Sequence, residues 1–165
     1  MHERSLLKPT HSAGNKYQLL LSHAMSSKPL ASVLELFDHT RFHPGCKLFT
    51  WHPTGELDDT LVDEIMGIIE SDELFQGRPF NRYTDFSQLT SIRLKIGHIF
   101  DIAQHRREAF QPVKSAFFAH TVVGLGIARL YEHLMKGALI QVRTFHERSA
   151  AAKWLDVPVD TLLPE

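Results

Sequence analysis

Between residues 46 and 155 the spacing of apolar side chains alternates between periods of about 2 and about 3.6, which narrows the fold more than any other property of the chain. Short runs at 46–52, 82–86, 115–120 and 139–145 suit strands. Apolar stripes at 60–71, 92–109, 121–135 and 147–155 have the spacing of helices packed on one side. A strand, a helix and a second strand in one sheet require a right-handed crossover, so these four strands are expected to run parallel. A further strand at 31–39 reaches the first of them through Pro44-Gly45, a turn signal that implies a hairpin and an antiparallel pair. The expected fold is α/β: a single mixed, mainly parallel sheet of about five strands with an N-terminal antiparallel hairpin and four helices.

The stretch NRYTDFSQLTS at 81–91 is the expected centre of that sheet. Tyr83 and Phe86 suit a pleated surface, while Asp85, Ser87, Thr90 and Ser91 gather where the strand should end. The helix that follows is expected from Ile92, with Ile92, Ile96, Ile99 and Ala103 facing inward and His105, Arg106 and Arg107 complementing its C-terminal dipole. Asp58 or Asp59 suits the cap of the 60–71 helix, whose stripe is Leu61, Ile65, Ile68 and Ile69. Thr121 suits the cap of the third helix, and Gly137 ends it. Ile140 and Val142 alternate with Gln141 and Arg143, as in a strand near an edge. Residues 1–29 show little periodicity and read as a loosely ordered or accessory arm, 30–158 as the α/β domain and 159–165 as a tail.

Length and charge remove several classes of function. With 165 residues the chain suits one domain with a proper core. A net charge of −1, with the first eighty residues leaning acidic and the rest basic, provides no field for nucleic acid. Cys46 is the only cysteine, so an internal disulfide is impossible and a reducing, cytoplasmic location is expected. No apolar run approaches the roughly 20 residues that cross a bilayer, so no integral membrane association is expected.

Four pieces stand in order along the chain: Leu48-Phe49-Thr50-Trp51 in the hairpin, the helix after Gly55, Tyr83-Thr84-Asp85-Phe86-Ser87, and Phe145 followed by the Ala-rich, Trp-Leu ending of 150–155. Together they resemble the SpoIIAA-like group of bacterial proteins, related to STAS domains and compared with CRAL-TRIO lipid-binding proteins. The resemblance covers about 31–155 and implies a non-enzymatic regulatory or ligand-binding module of the bacterial cytoplasm, taking a small amphipathic or anionic ligand or a protein partner. The anti-anti-sigma branch carries a phosphorylatable serine in an Asp-Ser-Ser-Gly stretch. Here that stretch is Thr90-Ser91-Ile92-Arg93-Leu94, so the motif is missing, and only Thr90 or Ser91 could stand in.

Ligands of open parallel sheets bind outside the carboxyl ends of the strands. Those ends collect His52 and Thr54, then Asp85, Ser87 and Thr90, then His120 and Thr121, then His146 and Glu147. Asp85, Ser87, Thr90, His120, Thr121 and His146 are therefore the expected ligand-binding set, over an apolar cleft of Phe86, Phe118 and Tyr131. Ordinary helix caps and polar loops account for most of the same residues without any ligand. Ser87, His120 and Asp85 contain the groups of a hydrolytic triad, but no G-x-S-x-G elbow surrounds Ser87. His39, His43, Cys46 and His52 are the densest metal-like set, yet alternating hairpin faces prevent their convergence, and no metal is expected. Gly124 and Gly126 resemble a dinucleotide loop, but Arg129 fills the third-glycine position, so close helix packing is the simpler reading and no cofactor is expected. A homodimer or interaction scaffold built on the N-terminal arm and exposed aromatics is the alternative to ligand binding.

Overall fold

The computed structural model describes residues 39–76, 79–109 and 111–164, so the expected arm and the bulk of the expected 31–39 strand lie outside the described residues. In chain order the elements are β1 (Thr40–His43), β2 (Leu48–Trp51), β3 (Gly55–Asp58), α1 (Asp59–Gln76), β4 (Asn81–Asp85), β5 (Leu89–Arg93), α2 (Ile96–Arg106), β6 (Val113–Phe118), α3 (Val122–Leu134), β7 (Ile140–Phe145) and α4 (Arg148–Leu155). The main sheet has the order β1-β2-β4-β6-β7. β1 is antiparallel to β2 and every other neighbour is parallel. This is the expected mixed sheet with a leading hairpin and four helices. Its first described strand begins at Thr40, in residues read from sequence as the approach to the turn. Phe42 supplies the anchor there, packing edge-on against Phe80 with ring centroids 5.4 Å apart.

α1, α2 and α3 cover one face. Ile65 and Ile69 from α1 and Ala128 from α3 join Phe49, Trp51, Phe80 and Phe86 in the larger core cluster. α4 covers the other face, placing Ala151, Ala152 and Leu155 on Leu48, Tyr83, Ala116 and Phe118, with Leu162 of a closing 3₁₀ turn. Leu162 of the 159–165 tail thus reaches the core, while Val159 and Asp160 before it are exposed.

Two strands were absent from the sequence expectation. β3 and β5 pair in parallel as a separate two-stranded sheet, so the polar turn after β4 is only the 3₁₀ turn Phe86–Gln88, and the helix begins at Ile96, not Ile92. Leu57, Leu89 and Ile92 bind this small sheet to the α1–α3 face. Ser91 Oγ donates to Glu56 Oε2 at 2.9 Å, and Arg93 pairs with the same carboxylate at 2.8 Å. Ile99 and Ala103 face inward as expected, but Ile96 is 62% exposed.

Arg106 also departs from expectation. It is buried and pairs with Glu70 at 3.2 Å and Glu73 at 3.3 Å, while Arg82 of β4 donates to the same Glu73. His105 Nε2 lies 2.8 Å from Glu70 Oε1. Burial, and next the charge of Arg106, lowers Arg82 to about 10, which leaves it charged at neutral pH. Two nearly buried guanidiniums thus share Glu73, the kind of group that is costly to leave half made.

The caps follow the sequence closely. Asp58 Oδ1 accepts from Leu61 N at 2.8 Å, and Thr121 Oγ1 accepts from Gly124 N at 3.1 Å. Gly124 is the close-packed glycine, since a Cβ there would stand 2.9 Å from Thr121 Oγ1 and 3.4 Å from Ala119 Cβ. Gly126 has nothing within 4 Å, so packing does not explain it. Gly124→Ala should push the Thr121 hydroxyl out of its cap and cost about 1 kcal/mol. In a Thr121→Ala background the cap is already gone, and the same substitution should be neutral or stabilising through helix propensity. Urea unfolding of the four proteins tests this: equal costs in both backgrounds would show that the cap is not what Gly124 protects.

Candidate functional site

β4 is the middle strand of five, and its last residue, Asp85, is only 1% exposed. Tyr83 and Asp85 are two apart, so both point to the α4 face. Asp85 Oδ1 accepts from Ser87 N at 2.8 Å, closing the 3₁₀ turn. Its Oδ2 accepts from Arg148 Nε at 3.0 Å, from Arg148 Nη2 at 2.9 Å and from Tyr83 OH at 3.2 Å. Arg148 Nη2 also donates to Ser87 Oγ at 3.0 Å, and the guanidinium lies 4.3 Å above the Phe118 ring. His52 Nδ1 stands 3.6 Å from Asp85 Oδ2, an ion-pair distance too long for a good hydrogen bond, and has no other partner. One carboxylate therefore joins β2, β4 and the first turn of α4.

The electrostatics follow from these contacts. Burial by itself would raise the Asp85 carboxyl, but His52, the hydroxyl and backbone N–H of Ser87, and Arg148 together hold it well below the usual carboxylate range. Burial, then the Asp85 charge, pushes the Tyr83 phenol up, so it remains a neutral donor. Burial opposes the charge of Arg148, and the bonds to Asp85 overcome it and raise the guanidinium above its ordinary value.

The residues expected from the sequence divide into three groups. Asp85 and Ser87 are joined directly through Arg148, although Asp85 is too buried to meet a ligand itself. His120, Thr121 and His146 are exposed just beyond the ends of β6 and β7, with the His120 ring 6.3 Å from Phe118. The Thr121 hydroxyl oxygen is engaged in the α3 cap. Thr90 belongs to β5, which packs on the α1–α3 face and therefore stands apart from Arg148. The expected apolar cleft is not formed either. Phe86, Phe117 and Tyr131 stack together on the α1–α3 face, while Phe118 points to α4, so the sheet separates them.

Ser87 Oγ is held by an arginine, and Asp85 orients that arginine and not a histidine. His120 makes no hydrogen bond to either among the described residues, so the triad of Ser87, His120 and Asp85 is not assembled. No group of three or more His, Cys, Asp or Glu side chains among the described residues could hold a metal ion. His39, His43 and His52 instead line a cavity of about 340 Å³ with Thr50 and Gln88. Burial, then Arg41 and His52, lowers His43 below the ordinary histidine value. A larger cavity of about 660 Å³ lies elsewhere, along β7 and the end of α3. No helix among the described residues is long and apolar enough to cross a membrane.

Arg148 is the residue the sequence reading missed. A signal was present: a cation in the first turn of a helix opposes the dipole and needs an anion nearby.

No protein-family model matches the chain, and no curated protein does. Among solved structures the chain is similar to an uncharacterized protein of the DUF3478 family from Shewanella loihica PV-4, described as having a SpoIIAA-like fold, at 15% identity and a TM-score of 0.46 over 70% of this chain and 89% of that one. The mixed five-stranded sheet rests on its own register and not on that likeness, whose fold name is the one the sequence resemblance implied.

Proposed function

We propose that the chain is a non-enzymatic binding module, regulatory or ligand-carrying, that takes a small anionic or amphipathic ligand at the carboxyl-end rim of β4, β6 and β7. The arrangement of Arg148 carries this reading. Asp85 and Ser87 fix its Nε and Nη2, Phe118 supports its face, and its side chain is still 29% exposed, with His120 and His146 exposed just past β6 and β7. Nη1 makes no hydrogen bond among the described residues. A planar donor held in place in this way suits a carboxylate or phosphate group, because its ordering cost is met before the ligand arrives.

Extraction of the purified protein followed by mass spectrometry, with thermal shifts against fatty acids, short dicarboxylates and inorganic phosphate, tests the reading. A ligand at about 100 times its Kd should raise Tm by roughly 5–10 °C. His120→Ala with His146→Ala should at least halve that shift. The absence of both a bound species and a shift would overturn the reading.

The exposed apolar side chains favour a second reading, a self-associating scaffold. Ile96 and Phe100 stand one turn apart on α2, 62% and 49% exposed, and Val122 and Val123 begin α3 at 88% and 58%. Light scattering across concentration should then show a dimer that Phe100→Ser weakens; a monomer at all concentrations would dismiss it.

A further inference from the structure

Among the described residues β7 is one edge of the main sheet and β1 the other. Val113 N donates to Leu139 O at 3.3 Å and Ala119 N to Phe145 O at 3.0 Å, with an unbroken parallel register between them. The ladder therefore uses the main-chain groups of residues 139, 141, 143 and 145, and those of Ile140, Val142 and Thr144 point away from the sheet. Thr144 N–H is capped by Glu132 Oε2 at 2.8 Å. The Val142 N–H and C=O have no partner among the described residues.

This open backbone borders the cavity of about 660 Å³. Arg129, His133 and Lys136 of α3 and its C-terminal turn line one side, and Arg143 lines the other, its guanidinium 5.3 Å over the Trp154 ring. Among the described residues Glu132 is the only acidic side chain lining it, and one of its oxygens is engaged by Thr144.

We propose that the β7 edge accepts an extended acidic peptide segment as a sixth strand. Its main chain pairs with Val142, and its carboxylates meet Arg129 and Lys136 on one face of the sheet and Arg143 on the other. Strand addition provides main-chain hydrogen bonds whatever the sequence, and the flanking charges select the partner. A second copy offering its own β7 would bring Arg143 toward Arg143, so the charge argues for an acidic partner over self-pairing. The site is separate from the Arg148 rim and does not depend on a ligand there.

The test uses the full chain and a fluorescein-labelled peptide of sequence Thr-Glu-Glu-Thr-Thr-Glu-Glu-Thr, whose carboxylates fall on both faces of an extended strand, read by anisotropy and amide hydrogen exchange. Saturable binding is expected, with the Val142 amide slowed about 10-fold. Lys136→Glu with Arg143→Glu, both at exposed positions, should weaken binding by at least about 10-fold. A peptide of equal charge with prolines at its central threonines should lose about as much. Equal binding of the proline peptide would reduce the site to charge alone and overturn strand addition, as would an unprotected Val142 amide. Self-association that Arg143→Ala strengthens, by removing the like-charge contact, would show a second copy as the occupant and overturn the acidic partner.

Discussion

Glu73→Ala is expected to cost about 4 kcal/mol, lowering Tm by roughly 8–16 °C, because it leaves Arg82 and Arg106 facing each other in the interior without the carboxylate they share. Both arginines are nearly inaccessible, at 5% and 6% exposure, so neither can turn to water without unpacking α1 from β4. Glu70 remains for Arg106 but does not reach Arg82. Replacing the three charges together, as Arg82→Met, Glu73→Leu and Arg106→Leu, should cost much less than the single change, since no buried guanidinium is then stranded and Glu70, partly exposed, keeps His105. Equilibrium unfolding in urea compares the two proteins. A triple variant no more stable than Glu73→Ala would show that the ions hold the face together by more than mutual neutralisation.

Arg148→Ala is expected to cost about 3 kcal/mol at neutral pH, since Asp85 loses two charge-assisted bonds and retains those from Ser87 and Tyr83. The pH dependence has a definite sign. The carboxyl of Asp85 is depressed in the folded protein, so its stabilising contribution is complete above the unfolded value of about 4 and fades as pH falls below that toward the lowered native value. Asp85→Asn should therefore be less stable than the parent at pH 7, and the gap should narrow steadily on acidification below pH ~4. Thermal unfolding at intervals between pH 7 and pH 2.5 measures it. A gap that stays constant would mean that Asp85 acts through its shape and not through its charge.

These two ionic groups also mark how far the sequence could be read. The hairpin turn, the caps at Asp58 and Thr121, the stop at Gly137 and the alternation that forces parallel strands are local, and each stands where the chain implies. β3 and β5 were not legible because each is only four or five residues long and its partner lies far along the chain, so neither shows a pattern of its own. Ile92 and Ile96 fit a helical period equally well, and only the pairing with β3 assigns Ile92 to a strand. Phe117 and Phe118 are adjacent in an unalternating run, so the sequence could not say which of them faces α4; the strand register does, and with it the expected cleft disappears.

By itself the sequence determined the order and type of most elements, and through the rule on crossovers the handedness and direction of the sheet, because these depend on periods and turns spanning a few residues. Tertiary structure alone decided which charges meet: Arg148 reaches Asp85 across 63 positions, and Arg106 reaches Glu73 across 33. A guanidinium and a carboxylate carry no label of their partner, and their pairing is set by which faces the packed helices press together.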